Sequence, residues 1–200
     1  MTLKQSSYVV NEGETPIIPV QLLQDTGEPV DTDTVSAATL SLYYVDSDGD
    51  ANTINSRSAV DVLGANGGSF IGDTSITGAT KTDPVIVTAA SHNLLDGYDI
   101  LISSAGGMVE LNDAVWTIRR LTSSTFSLRG SKGTTYTTYT SGGSIRSGVF
   151  LWQSAAADMA IQNSSLAIGD TEEHVAKFTF TFSDGSVAVN EYKFRVRNLG

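Results

Sequence analysis

The sequence predicts an all-β protein, a β-sandwich whose chain is interrupted by a small inserted β-barrel. Three observations lead there. Apolar and polar residues alternate with period two at both ends of the chain, the pattern of half-buried strands. The middle of the chain changes texture, becoming neutral and rich in Thr, Ser and Gly. No segment carries the apolar spacing of a long helix, and only a stretch around residues 155–162 has polar-to-helical character.

In chain order, Ile18, Val20 and Leu22 alternate with Pro19 and Gln21 before the turn-prone Asp25-Thr26-Gly27. Leu40, Leu42 and Tyr44 alternate with Ser41 and Tyr43 and run into Asp46-Ser47-Asp48-Gly49-Asp50. The middle offers strands at 85–89, 98–103, 115–121 and 125–128, separated by turns bearing Gly, Asn and Ser. Short strands over about 70 residues bury a core only if their sheet curls or closes, hence the barrel. Near the end, Phe178, Phe180 and Phe182 share one face against Lys177, Thr179 and Thr181. Ser183-Asp184-Gly185 supplies a hairpin turn. Tyr192, Phe194 and Val196 then point one way, and Lys193, Arg195 and Arg197 the other. Residues 1–75 and 144–200 together supply about seven strands, a normal complement for one sandwich. The division is therefore 1–75 plus 144–200 for the split sandwich and 76–143 for the inserted barrel.

Charge and composition exclude several functions. The chain has 200 residues, a formal net charge of -10, no cysteine and two histidines. Absent cysteine removes disulfides, thiol nucleophiles and zinc ribbons. Residues 1–75 hold eleven acids against Lys4 and Arg57, whereas 76–143 are balanced with five of each sign. So acidic a chain is not expected to bind nucleic acid, which needs clustered Lys and Arg. No run approaches the ~20 apolar residues of a membrane span, and Met1–Val10 lacks a signal-peptide core, so cytoplasmic folding is expected.

A series of spaced elements fills the middle: Ile76-Thr77-Gly78-Ala79, Pro84-Val85-Ile86-Val87-Thr88-Ala89-Ala90, His92, Leu94 and Gly97. It continues through Gly107-Met108-Val109-Glu110-Leu111-Asn112, Thr125-Phe126-Ser127-Leu128, Tyr136, Tyr139 and Thr140-Ser141-Gly142-Gly143. This series resembles the small β-barrel repeat of bacteriophage structural proteins, a repeat known by its similarity to the first catalytic cysteine half-domain of ubiquitin-activating enzymes. Asn93 and Tyr98 depart from that pattern at turn positions. The resemblance implies no ubiquitin chemistry, since the chain lacks cysteine and a nucleotide-binding glycine loop. The flanks, Val9-Val10-Asn11-Glu12-Gly13-Glu14-Thr15-Pro16-Ile17-Ile18, Leu23-Gln24-Asp25-Thr26-Gly27-Glu28-Pro29-Val30 and Ala176–Gly185, are similar to the immunoglobulin-like β-sandwich of phage baseplate, neck and tail proteins.

Candidate sites are few. Asp46, Asp48 and Asp50 place carboxylates two residues apart, a spacing that suits calcium. Counted as an EF-hand loop, however, Gly49 falls fourth and Arg57 twelfth, so the pattern fails and a solvated acidic turn is the simpler reading. His92 is expected to bond nearby backbone in a turn, and His174, following Glu172-Glu173, is expected to be exposed. Trp116 and Trp152 read as core. Tyr136 and Tyr139, in the Thr-rich loop 133–143, are the candidates for a surface or glycan contact. Lys193, Arg195 and Arg197 read as a charged strand edge that discourages stray pairing, or as a stripe that docks on an acidic neighbour. No G-x-S-x-G elbow occurs, and neither an enzyme nor a cofactor is expected.

The resemblance implies a structural component of a tailed-phage virion, assembled in the host cytoplasm. Its expected partners are neck, tail or baseplate ring subunits and copies of itself, with neither nucleic acid nor membrane. The last strand is expected to end close to Gly200, so no long fibre shaft or separate receptor-binding tip is expected, which favours an adaptor or decoration role. The alternatives are a capsid decoration protein, a carbohydrate- or receptor-binding module that holds a host surface glycan, and a tail-associated hydrolase.

Overall fold

A computed structural model describes residues 9–200. Lys4 and most of the amino-terminal stretch considered for a signal peptide lie outside the described residues. The protein is all-β and sandwich-like, with several sheets that include a half-barrel. Its strands are β1 (Val9–Asn11), β2 (Ile17–Gln21), β3 (Val35–Val45), β4 (Ala51–Thr53), β5 (Val60–Asp61) and β6 (Gly68–Phe70). There follow β7 (Thr74–Ser75), β8 (Gly78–Ala79), β9 (Ile86–Thr88), β10 (Asp99–Gly106), β11 (Ala114–Arg120) and β12 (Thr125–Leu128). The last four are β13 (Ser141–Arg146), β14 (Val149–Gln153), β15 (Thr171–Phe182) and β16 (Val187–Arg197). Among the described residues, helical structure is confined to short 3-10 turns, one of them at Ala156–Met159. Among the described residues no helix is long and apolar enough to cross a membrane.

The chain divides into two compact units. The first comprises the described residues up to Val20, Asp33–Ser69 and Leu151–Gly200. The second comprises Gln21–Thr32 and Phe70–Phe150. The sequence boundaries at 76 and 143 thus fall inside the second unit, which also takes in the hairpin around Asp25-Thr26-Gly27.

In the first unit a six-stranded sheet runs β1-β16-β15-β3-β4, with β5 also on β3. Its long members alternate as the sequence predicts. Leu40, Leu42, Phe178, Phe180, Phe194 and Val196 are fully buried on one face. Burying each aromatic ring contributes about 2–3 kcal/mol before entropy is subtracted. Phe182 leaves the pattern because the β15–β3 register shifts between Thr181 and Phe182, and its side chain is half-exposed. The β15–β16 hairpin closes where expected, with Phe182 N donating to Ser186 O. A three-stranded sheet runs β2-β14-β6. Its Trp152 meets Phe178 edge-on at 5.8 Å, and the indole Nε1 donates to Asn66 O.

In the second unit seven strands run β7-β13-β10-β11-β12-β9-β8. Val87, Ile100, Ile102, Ile118, Phe126, Leu128 and Ile145 come from five of them and fill one core with Leu94, Met108 and Leu111. Strands this short cover that face only by curling around it, which gives the half-barrel. Gln21 acts as a strand neighbour for β10: Nε2 donates to Asp99 O at 2.6 Å and to Ser147 O at 2.8 Å, and Oε1 accepts from Asp99 N.

Candidate functional site

The loop 133–143 is held by its own side chains. Thr134 donates through N and Oγ1 to the Asp83 carboxylate at about 3 Å. Thr137 N and Oγ1 each reach the Glu110 carboxylate at 2.9 Å. Hydrogen bonds from its own amide and from Thr137 hold the Glu110 carboxyl below the usual carboxylate range. Tyr136 and Tyr139 are half-buried, with their rings against the half-barrel core. The Tyr139 hydroxyl donates to Gly142 O at 2.9 Å, with Ile76 O at 3.1 Å sharing the proton. Both tyrosines therefore serve as struts, and the exposed surface of the loop is mostly threonine, Thr134, Thr135, Thr137, Thr138 and Thr140, followed by Ser141 and Gly142. Trp116 is also packed against the core, its Nε1 donating to Leu111 O.

Lys193, Arg195 and Arg197 share the outer face of β16, the two arginines exposed and the lysine half-buried. Opposite them on β15 stand Val175, Glu173 and Thr171. Lys193 Nζ lies 3.7 Å from Glu173 Oε1, a solvent-exposed pair that contributes little to stability. The expected charged edge needs correction at this end. Arg195, Val196 and Arg197 are paired in parallel with Val9, Val10 and Asn11, so β16 is an interior strand there. A three-residue partner so distant in sequence leaves no periodic signal, which is why the stripe reads as an edge.

The two histidines are both fully buried. His92 meets its expectation: Nδ1 accepts from Leu94 N at 3.1 Å, Nε2 donates to Thr122 O at 3.2 Å, and the ring packs edge-on against Phe126. His174, expected to be exposed, is a correction. It lies on the inner face of β15, opposite Tyr44 and Phe194, and its Nε2 is 2.7 Å from Glu172 Oε1. Burial pushes the His174 pKa below the ordinary imidazole value against the opposing pull of the Glu172 hydrogen bond and charge. The Asp158 carbonyl stands toward the ring without completing a hydrogen bond at Nδ1. Burial likewise lowers His92.

Close by in the same unit is a polar cluster that the sequence reading misses. Asp158, fully buried, accepts from Asn55 Nδ2 at 2.7 Å, Arg57 Nε at 2.9 Å, Arg57 Nη2 at 3.2 Å and Ala155 N at 2.8 Å. Glu172 accepts from Gln162 N and Asn163 N as well as His174, which fastens the segment after Met159 to β15. The one available signal is composition: Asp158 is a lone acid within Ala155-Ala156-Ala157-Asp158-Met159-Ala160. An acid in so apolar a run is expected to be buried with a cation.

The Asp46 carboxylate organises its own turn. Oδ1 accepts from Asp48 N and Asp50 N, and Oδ2 from Asn52 Nδ2 at 2.7 Å. These bonds hold the Asp46 carboxyl below its usual range. Asp48 and Asp50 lie exposed in the same turn. Among the described residues no three His, Cys, Asp or Glu side chains are grouped to hold a metal ion. The second unit also carries an open depression lined by Leu95, Asp96, Arg120, Leu121, Thr122 and Ser123.

No protein-family model matches the chain, and no curated protein matches it in sequence.

Proposed function

We propose that this protein is a structural component of a tailed-phage virion, an adaptor that docks on the neck, tail or baseplate in several copies. One observation carries the reading. The residues that bear the resemblance to the phage barrel repeat are those that build the half-barrel. Ile76, Val85, Val87, Ala89, Leu94, Met108, Leu111, Phe126 and Leu128 form its core, and Tyr136 and Tyr139 pack on that core. His92 ties its turn and Gly107 permits the close approach of the loop at Thr138. The resemblance therefore rests on positions that specify a fold and not on scattered surface residues. The burial of both imidazoles, each with a ring nitrogen committed to a neighbour, favours a geometric role over acid–base chemistry.

The reading is tested by locating the protein in purified particles. Particles are disrupted, tails are separated from heads, and each fraction is probed by quantitative mass spectrometry. The expected result is co-purification with tails in a fixed stoichiometry. Recovery with heads would transfer the protein to capsid decoration. Recovery only as a soluble species would overturn the virion reading.

A further inference from the structure

Among the described residues, the backbone of β16 has an open edge. Ser186 O accepts from Phe182 N, and Asn198 N donates to Asp170 O, so even-numbered residues turn their backbone groups toward β15. Arg197 O accepts from Glu12 N on the opposite side. Since the N–H and C=O of one residue share a side and that side alternates along a strand, odd-numbered residues point away from β15. On that side β1, within the described residues that start at Val9, pairs with Arg195–Arg197. Among the described residues no strand pairs with the stretch before Arg195 there. Val187, Val189, Glu191 and Lys193 thus present donors and acceptors in a row, and Val187 and Val189 are 57% and 40% exposed.

We propose that this edge pairs with the same edge of a second copy, antiparallel about a two-fold axis, so that two six-stranded sheets become one. Three features select that occupant. The first is register. Antiparallel ladders bond residues whose backbone groups face each other, so odd must meet odd. Only the register with Val187 opposite the partner's Lys193, and Val189 opposite the partner's Glu191, engages all four residues and stops short of Arg195, which Val9 already faces. The second is charge. The strand follows the acidic turn at Asp184 and ends in Lys193, Arg195 and Arg197. Antiparallel pairing brings Asp184 toward the basic end of the other strand and sets Glu191 and Lys193 opposite valines, so no like charges stand directly opposite, while in-register parallel pairing sets like charge beside like. The third is Asn190, which this register places on the axis in a non-hydrogen-bonded pair, where facing side chains approach most closely. Its Nδ2 is buried with no hydrogen-bond partner. The same residue of the second copy offers the missing acceptor, and the exchange is reciprocal. A two-fold contact of this kind is self-complementary and closed.

The inference rests on the strand edge alone, independent of any location in a virion. It is tested on the full chain by sedimentation equilibrium across micromolar to sub-millimolar concentration, with hydrogen exchange in parallel. The expected result is a monomer–dimer equilibrium in which the amides of Val187, Val189, Glu191 and Lys193 gain protection as concentration rises. Val189→Pro deletes an edge-facing donor that the β15 ladder does not use. It should weaken dimerisation more than about tenfold, since two symmetry-related hydrogen bonds are lost. Asn190→Asp, which keeps every backbone donor, should weaken it as well by setting two carboxylates face to face. A chain that stays monomeric throughout overturns the proposal. So does a dimer that neither substitution weakens, or equal protection of the four amides in the monomer, the sign of an edge covered by some other segment.

Discussion

His92 and His174 make acid the condition that tests the core residue by residue. Each is buried with its pKa pushed down, burial being the leading cause in both. In the unfolded chain both imidazoles titrate near the ordinary value of about 6.5. Below that pH the unfolded chain binds protons that the folded chain refuses, so stability falls with acid until the folded-state pKa values are passed. Above it both states are neutral and these residues add no slope. The urea midpoint should therefore fall between about pH 7 and pH 5.5, before the exposed carboxylates titrate. His174→Gln keeps a donor for Glu172 and removes the titration; combined with His92→Gln it should flatten the slope. A midpoint that is level across this window in the unaltered protein would refute the assignment. At this scale the sequence was a partial guide. The bonding of His92 follows from its place in a turn. The burial of His174 does not, because two flanking glutamates look like solvent, whereas Glu172 in fact turns inward to accept three donors.

The elements are most legible in the sequence where a period runs long enough to be seen. β15 and β16 extend over twelve and eleven residues, and the faces assigned to their aromatic residues hold except at the register shift beside Phe182. β12 occupies Thr125–Leu128 as read, and β11 lies one residue from its expected bounds. β7 and β8 have two residues each and carry no period to detect. The loop 133–143 depends on an element of another kind, the turn at Gly107. Gly107 has a φ of +77°, and a Cβ there would collide with Thr138 O and Thr140. The loop carbonyl can approach only because that atom is missing. Gly107→Ala should therefore cost at least about 2 kcal/mol, combining the left-handed conformation with the collision. It should also release the Thr137–Glu110 bonds. Limited trypsin digestion reads this directly, because Lys132 is exposed at the start of the loop. Cleavage after Lys132 should accelerate while cleavage after residues such as Lys177 stays slow. Equal rates in the variant and the unaltered chain would show that Gly107 does not hold the loop.

On the scale of the whole molecule, a net charge of -10 is most informative through its exception. Acids outnumber bases heavily in residues 1–75, and the middle is balanced, but the outer face of β16 ends in two exposed arginines beside half-buried Lys193. Lys193 already has Glu173 within reach, whereas no ion pair joins Arg195 or Arg197 to an acid among the described residues. An acidic molecule is repelled by an acidic partner everywhere except at such a stripe, so the stripe sets the orientation in which the two can approach. If the protein is a virion adaptor, as proposed, and docks on an acidic ring, Arg195→Glu together with Arg197→Glu should slow incorporation into particles by an order of magnitude or more. Raising ionic strength should slow the unaltered protein toward the same rate, since exposed charges are screened beyond roughly 8 Å at physiological salt. The fold should be untouched, because both side chains are exposed and their backbone bonds to β1 survive substitution. An unchanged urea midpoint with reduced incorporation is the predicted pair of results. Reversing Asp48 and Asp50 to Lys supplies the control, as those residues lie in an exposed turn and should leave incorporation as it was. Incorporation indifferent both to the arginine reversals and to salt would mean that docking uses an uncharged surface, with the exposed threonines of the loop 133–143 next to be tested.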